Sequence, residues 1–114
     1  MARELARVES VLPPRDAAAF QRVIEQDRPR FAVAAQELMD ARRALQYQIA
    51  ADPFDRQAVS EALSAYRVSW GRFVSDFSGP LLDALSQVSP QGRRQLVAAR
   101  RRARERLLSR RPRR

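Results

Sequence analysis

The stretch VSEALSAYRVSWGRFVSDF, residues 59–77, decides the fold. Its large apolar side chains, Val59, Leu63, Tyr66, Trp70, Phe73 and Phe77, recur at spacings of 4, 3, 4, 3 and 4. An α-helix turns once every 3.6 residues, so this alternation stacks all six along one side, as in a coiled-coil seam. The segment before it repeats the pattern. Phe31, Leu38 and Leu45 are seven apart, with Ala34, Ala35, Ala41 and Ile49 between them, while Gln36, Glu37, Asp40 and Arg43 occupy the other face. Between the two seams lies Asp52-Pro53-Phe54-Asp55. Proline stops the helix over 29–51, and Asp55 is placed to cap the next by accepting a backbone N–H. A short turn between two such helices predicts an antiparallel hairpin, the 31/38/45 seam facing 59/66/73. The expected core or dimer interface is therefore Phe31, Leu38, Leu45, Leu63, Tyr66, Trp70, Phe73 and Phe77.

Outward from the hairpin, prolines punctuate the chain. A helix over 14–26 carries Ala17, Phe20 and Ile24 on one stripe, and Pro29 is expected to break it and open the next. Ser78-Gly79-Pro80 should bend the third helix without ending it, because Leu81, Leu82, Leu85 and Val88 continue the stripe. Ser89-Pro90 reads as a cap followed by a first-turn proline, opening a last helix to about residue 109 with Leu96, Ala99, Ala103 and Leu107 on one face. Residues 1–11 are taken as an N-terminal extension, 12–109 as the domain, and 110–114 as a disordered basic tail. One echo stands out. Leu12-Pro13-Pro14-Arg15-Asp16 and Val88-Ser89-Pro90-Gln91-Gly92 both set an apolar residue before a proline-opened helix, a start signal any helical protein can reuse.

The 114 residues allow one small domain, whose core gains from burial against a second copy. All 22 basic residues are arginine. Residues 90–114 hold eleven of them against the single acid Glu105, a net +10, whereas residues 1–89 hold eleven against twelve acids, a net −1. A nearly neutral body with a cationic end points to an acidic partner. With no cysteine and no histidine, thiolate sites, disulfides and the usual acid/base group of neutral pH are excluded. No glycine-rich phosphate loop, nucleophile–base pair or catalytic carboxylate constellation is present, so neither an enzyme nor a cofactor is expected. Every window of the roughly 20 residues needed to span a bilayer is interrupted by charge. The first nine residues, with Glu4 and Glu9, do not read as a signal peptide.

With those pieces placed, the chain resembles the periplasmic heavy-metal-resistance sensor family, relatives of the Spy and CpxP chaperone-like proteins. The resemblance rests on Leu12-Pro13-Pro14, on Ala50-Ala51-Asp52-Pro53-Phe54-Asp55 and on Leu85-Ser86-Gln87-Val88-Ser89-Pro90, and it covers about residues 12–108. The two proline-start segments sit where those relatives carry paired Leu-Thr-type motifs. The resemblance implies a hooked, all-α hairpin that dimerises in the periplasm, often behind an N-terminal membrane helix, and that senses metal or binds unfolded and partner proteins. Metal sensors of the family use histidine with carboxylate or methionine ligands. This chain has no histidine, so no metal-site residue carries over, and the expected anchor helix is not among these residues. The expected location is periplasmic, membrane-anchored if such a helix precedes the chain, and cytoplasmic if no targeting segment does.

Competing readings remain at three places. Glu37 and Asp40, one turn apart beside Met39, are a solvated acidic face before they are a cation site, since calcium needs six or more oxygens. The aromatics Tyr66, Trp70, Phe73 and Phe77 read as core or dimer interface, with an exposed groove for client segments as the alternative. The arginines Arg93, Arg94, Arg100, Arg101, Arg102, Arg104 and Arg106 suit an acidic or unfolded protein partner, anionic lipid head groups, nucleic acid, or simply a solvated helix end. The expectation is a dimeric, non-enzymatic sensor or chaperone-like binder of the envelope-stress type. The alternative is a small cytoplasmic nucleic-acid-binding protein.

Overall fold

The computed structural model describes residues 2–109, with side chains from residue 5. These residues form four helices: α1 (Ala2–Val11), α2 (Pro14–Ala50), α3 (Arg56–Ser86) and α4 (Pro90–Ser109). The all-α class is as the sequence predicts, and the chain divides into two compact units.

The unit formed by residues 26–81 is the hairpin. Its turn spans residues 51–55, and the Asp55 carboxylate accepts the Ala58 N–H at 3.1 Å, the cap expected from sequence. The two helices pair in antiparallel register. Phe31 of α2 meets Phe77 of α3 edge-on at 4.9 Å, and Glu37 of α2 bridges to Arg72 of α3 at 3.5 Å. Phe77 stacks in turn on Phe73, their ring centroids 5.1 Å apart. Phe31, Ala34 and Phe73 are buried, and Leu38, Ala41, Leu45, Ala62, Tyr66, Ser69 and Phe77 are half-buried. A fully buried aromatic or aliphatic side chain contributes about 1.5–3 kcal/mol, so this seam holds the hairpin shut.

Leu63 and Trp70 depart from the expected seam. They are 38% and 51% exposed, while Ala62 and Ser69 turn inward. Both rows share the seven-residue repeat. Small residues let two helix backbones approach closely, and the bulkier Leu63 and Trp70 are displaced to the flank.

The second unit comprises, among the described residues, 2–25 and 82–109. Its core contains Leu12, Phe20, Ile24, Ala84 and Val88, each at most 7% exposed. Residues 2–11, read from sequence as an extension, are helical, and α1 packs on α4. Leu5 and Val8 are half-buried and Leu12 buried, at i, i+3 and i+7. Along α4, Leu96 and Ala99 are half-buried, but every residue from Arg100 to Ser109 is exposed, including Ala103 and Leu107, which share a face with them by spacing. The predicted disordered tail, residues 110–114, lies outside the described residues.

Pro29 does not break the chain into two helices. It lies inside α2, exposed, as Pro80 lies buried inside α3. A mid-helix proline costs about 3 kcal/mol through the lost hydrogen bond and the clash with the carbonyl four residues back. The helix survives because its inward stripe runs through the site: Phe20, Ile24, Asp27, Phe31 and Ala34, spaced 4, 3, 4 and 3, are all buried or half-buried. Tertiary packing of that stripe outweighs the local penalty.

Candidate functional site

The two proline-opened helix starts are brought together. Pro13 precedes α2 as Ser89 precedes α4, and each accepts the first helical hydrogen bond, from Ala17 and Arg93 respectively, at 2.9 Å. Asp16 and Gly92 therefore hold the same position, third in the first turn of their helices. Asp16 is 8% exposed and turns its carboxylate onto the other start. One oxygen accepts the Ser89 hydroxyl at 2.5 Å and the other accepts the Ser89 backbone N–H at 3.0 Å. The Ser89 hydroxyl oxygen in turn accepts the Gly92 N–H at 3.1 Å. A Cβ at Gly92 would overlap both the Asp16 carboxylate and the Val88 side chain, so glycine is required there by close approach. The Ser89 hydroxyl and N–H hold the Asp16 carboxyl below the usual carboxylate range, burial opposing them and the Arg93 guanidinium adding to them. Sequence reasoning noticed the repeated start but not this junction.

A second feature is the flank of α3. Leu63, Trp70 and Val74 fall on one stripe, and Val74 is 45% exposed. Trp70 and Arg72 are two residues apart, so they project from nearly opposite flanks. The apolar stripe thus lies away from the Glu37–Arg72 bridge. The other aromatics and aliphatics predicted as core or interface (Phe31, Leu38, Leu45, Tyr66, Phe73 and Phe77) sit in the hairpin seam.

The third feature is the arginine-rich α4. Arg94, Arg100, Arg101, Arg102, Arg104 and Arg106 are exposed. Arg93 is exposed over much of its length, but one guanidinium nitrogen donates to the Val88 carbonyl at 2.7 Å, so it also braces the turn before α4.

Residues 1–95 match the family described as heavy-metal resistance. The chain belongs to that family. Its members are helical proteins of the Spy and CpxP type, typically periplasmic. The match ends inside α4, and residues 96–114 lie beyond it. No curated protein and no solved structure matches the chain.

The family name raises the question of a metal, and the donors of this member do not fit one. Neither histidine nor cysteine is available. Both oxygens of Asp16 are taken by Ser89, Glu37 pairs with Arg72, and Asp40 accepts from Gln36 at 3.0 Å. Among the described residues no three histidine, cysteine, aspartate or glutamate side chains come together where they could hold an ion. Glu37 and Asp40 keep one another company on the helix surface, each already engaged by a neighbour of its own. No helix among the described residues is long and apolar enough to cross a membrane.

Proposed function

We propose that this heavy-metal resistance family member is a non-enzymatic periplasmic protein of the envelope-stress type, a sensor or chaperone-like binder that works as a homodimer. It meets its partners through surfaces, without a histidine-based metal centre. The observation that carries this reading is Trp70, half open to water in a stripe with Leu63 and Val74 on a hairpin whose seam is already filled. A cluster of large apolar side chains left at the surface marks a docking site. A second copy is its occupant: the same stripe on each of two chains meets itself across a twofold axis. The arginines of α4 then serve as the contact surface for acidic or unfolded partners, which the net +10 of residues 90–114 favours.

Light scattering from a reduced, unfolding client protein tests the binding role. The wild-type chain is expected to delay aggregation at near-equimolar ratio, and R100Q/R101Q/R104Q to lose most of that delay while remaining folded. A wild-type chain that leaves the aggregation curve unmoved contradicts the reading.

A further inference from the structure

We infer that the outer face of α4 is an interfacial helix surface that lies on anionic lipid head groups. The inference goes beyond the proposed function: it gives this face a lipid partner, distinct from the acidic or unfolded proteins proposed above.

Val97, Arg101, Arg104 and Leu108 are spaced 4, 3 and 4, so they form one stripe along the helix. It is about 16 Å long at 1.5 Å per residue. Val97 is 62% and Leu108 51% exposed, and the neighbouring Leu107 is 70% exposed. Nothing among the described residues covers this half of the helix, where each of residues 100–109 is exposed. Its N-terminal end opens into a shallow concavity of about 500 Å³ lined by Pro90, Arg93, Arg94, Val97, Ala98 and Arg101, large enough for a phosphate head group among guanidinium groups.

Charge fixes the sign of the occupant, since Glu105 is the one acid between residues 90 and 114. The aliphatic residues within the arginine stripe fix its class. Arginines flanking exposed aliphatics suit the boundary between head groups and acyl chains, where the guanidinium groups meet phosphates and the branched side chains enter the apolar layer. Single-stranded nucleic acid would instead be met by aromatic platforms, and α4 contains no Phe, Tyr or Trp. The stripe lies beyond the residues that match the family, so it is a feature of this chain's own C-terminal helix.

Co-sedimentation of the full chain tests this, with four probes at about 150 mM salt: vesicles of phosphatidylglycerol with phosphatidylcholine, vesicles of phosphatidylcholine alone, duplex DNA and polyglutamate. The chain is expected to bind the phosphatidylglycerol vesicles and not the neutral ones. V97S/L108S should lower that partitioning about tenfold through lost apolar insertion, leaving its binding to DNA and polyglutamate unchanged. R101Q and R104Q should each lower it about fivefold. All four positions are exposed, so the variants keep the fold, and helical circular dichroism verifies it. The inference is overturned if V97S/L108S binds anionic vesicles as the wild type does, or if DNA binds more tightly than the vesicles. Binding to polyglutamate alone overturns the lipid assignment and leaves the acidic-protein surface standing. Binding to none of the four removes both.

Discussion

Asp16 and Ser89 are 73 positions apart in sequence, and the carboxylate of the first closes the helix start formed by the second. The same group lies in the first turn of its own helix, where the positive end of the α2 dipole also favours its anionic form. One buried acid thus serves two helix N-termini, and its stabilisation depends on staying ionised.

The pH dependence follows in sign. A carboxyl held lower in the folded chain than its unfolded value, about 3.9, contributes its full stability above that value and loses it as pH falls through the lower folded pKa. Thermal melts between neutral pH and about pH 3 should show stability falling at the acid end. In Asp16→Asn this segment of the acid limb should flatten, with a lower melting temperature at neutral pH. An unchanged acid limb in that variant removes Asp16 as its source.

Gly92→Ala should destabilise by about 1–3 kcal/mol, because a methyl group there must displace the Asp16 carboxylate or the Val88 side chain. Ser89→Ala should cost about 1 kcal/mol or more, losing a cap and leaving a buried acceptor short of a donor. Urea unfolding of both variants, with unchanged slope, measures this directly.

Phe31→Ala should cost about 3–5 kcal/mol, since Phe31 is 3% exposed and packs edge-on against Phe77. Val33→Ala, at a site 70% exposed on the same helix, should lie within about 0.5 kcal/mol of wild type. Equal losses at the two sites would contradict the seam.

Pro29→Ala should raise stability by about 1–3 kcal/mol, because the position is exposed, lies inside a continuous helix and gains a helical hydrogen bond. A loss instead would show that proline at this position is needed for packing. The denaturation midpoint reads the sign.

The hairpin was legible because its evidence is local. The repeat over residues 59–77, the Asp52–Asp55 turn and the Asp55 cap each lie within a few positions of what they organise. Pro29 misled because a proline's local penalty is visible in sequence while the packing that overrides it is not. Leu63 and Trp70, read as core or dimer interface, fall outside the hairpin core for a subtler reason. Two rows one residue apart share the same seven-residue period, and size decided for Ala62 and Ser69 where hydrophobicity alone favoured the larger pair. Leu5 and Val8 of α1, with Leu12 just past its end, carried the signal, diluted by the charges around them. The Asp16–Ser89 junction had no local signature beyond the repeated proline start.

Zinc, nickel, cobalt and copper at near-stoichiometric concentration should leave the melting temperature where it is, since the chain has no histidine or cysteine and no three acids among the described residues come together where they could hold an ion. A rise of several degrees with any one of them would reveal an oxygen-ligand site.

Sedimentation velocity on the wild type and Trp70→Ser, at about tens of micromolar, addresses the docking stripe most directly. The wild type should sediment as a dimer and the variant as a monomer of unchanged helical content, with the wild-type indole shielded from water-borne quenchers. A wild-type monomer whose indole is freely quenched would show that Leu63, Trp70 and Val74 meet nothing, and that the stripe is not an interface.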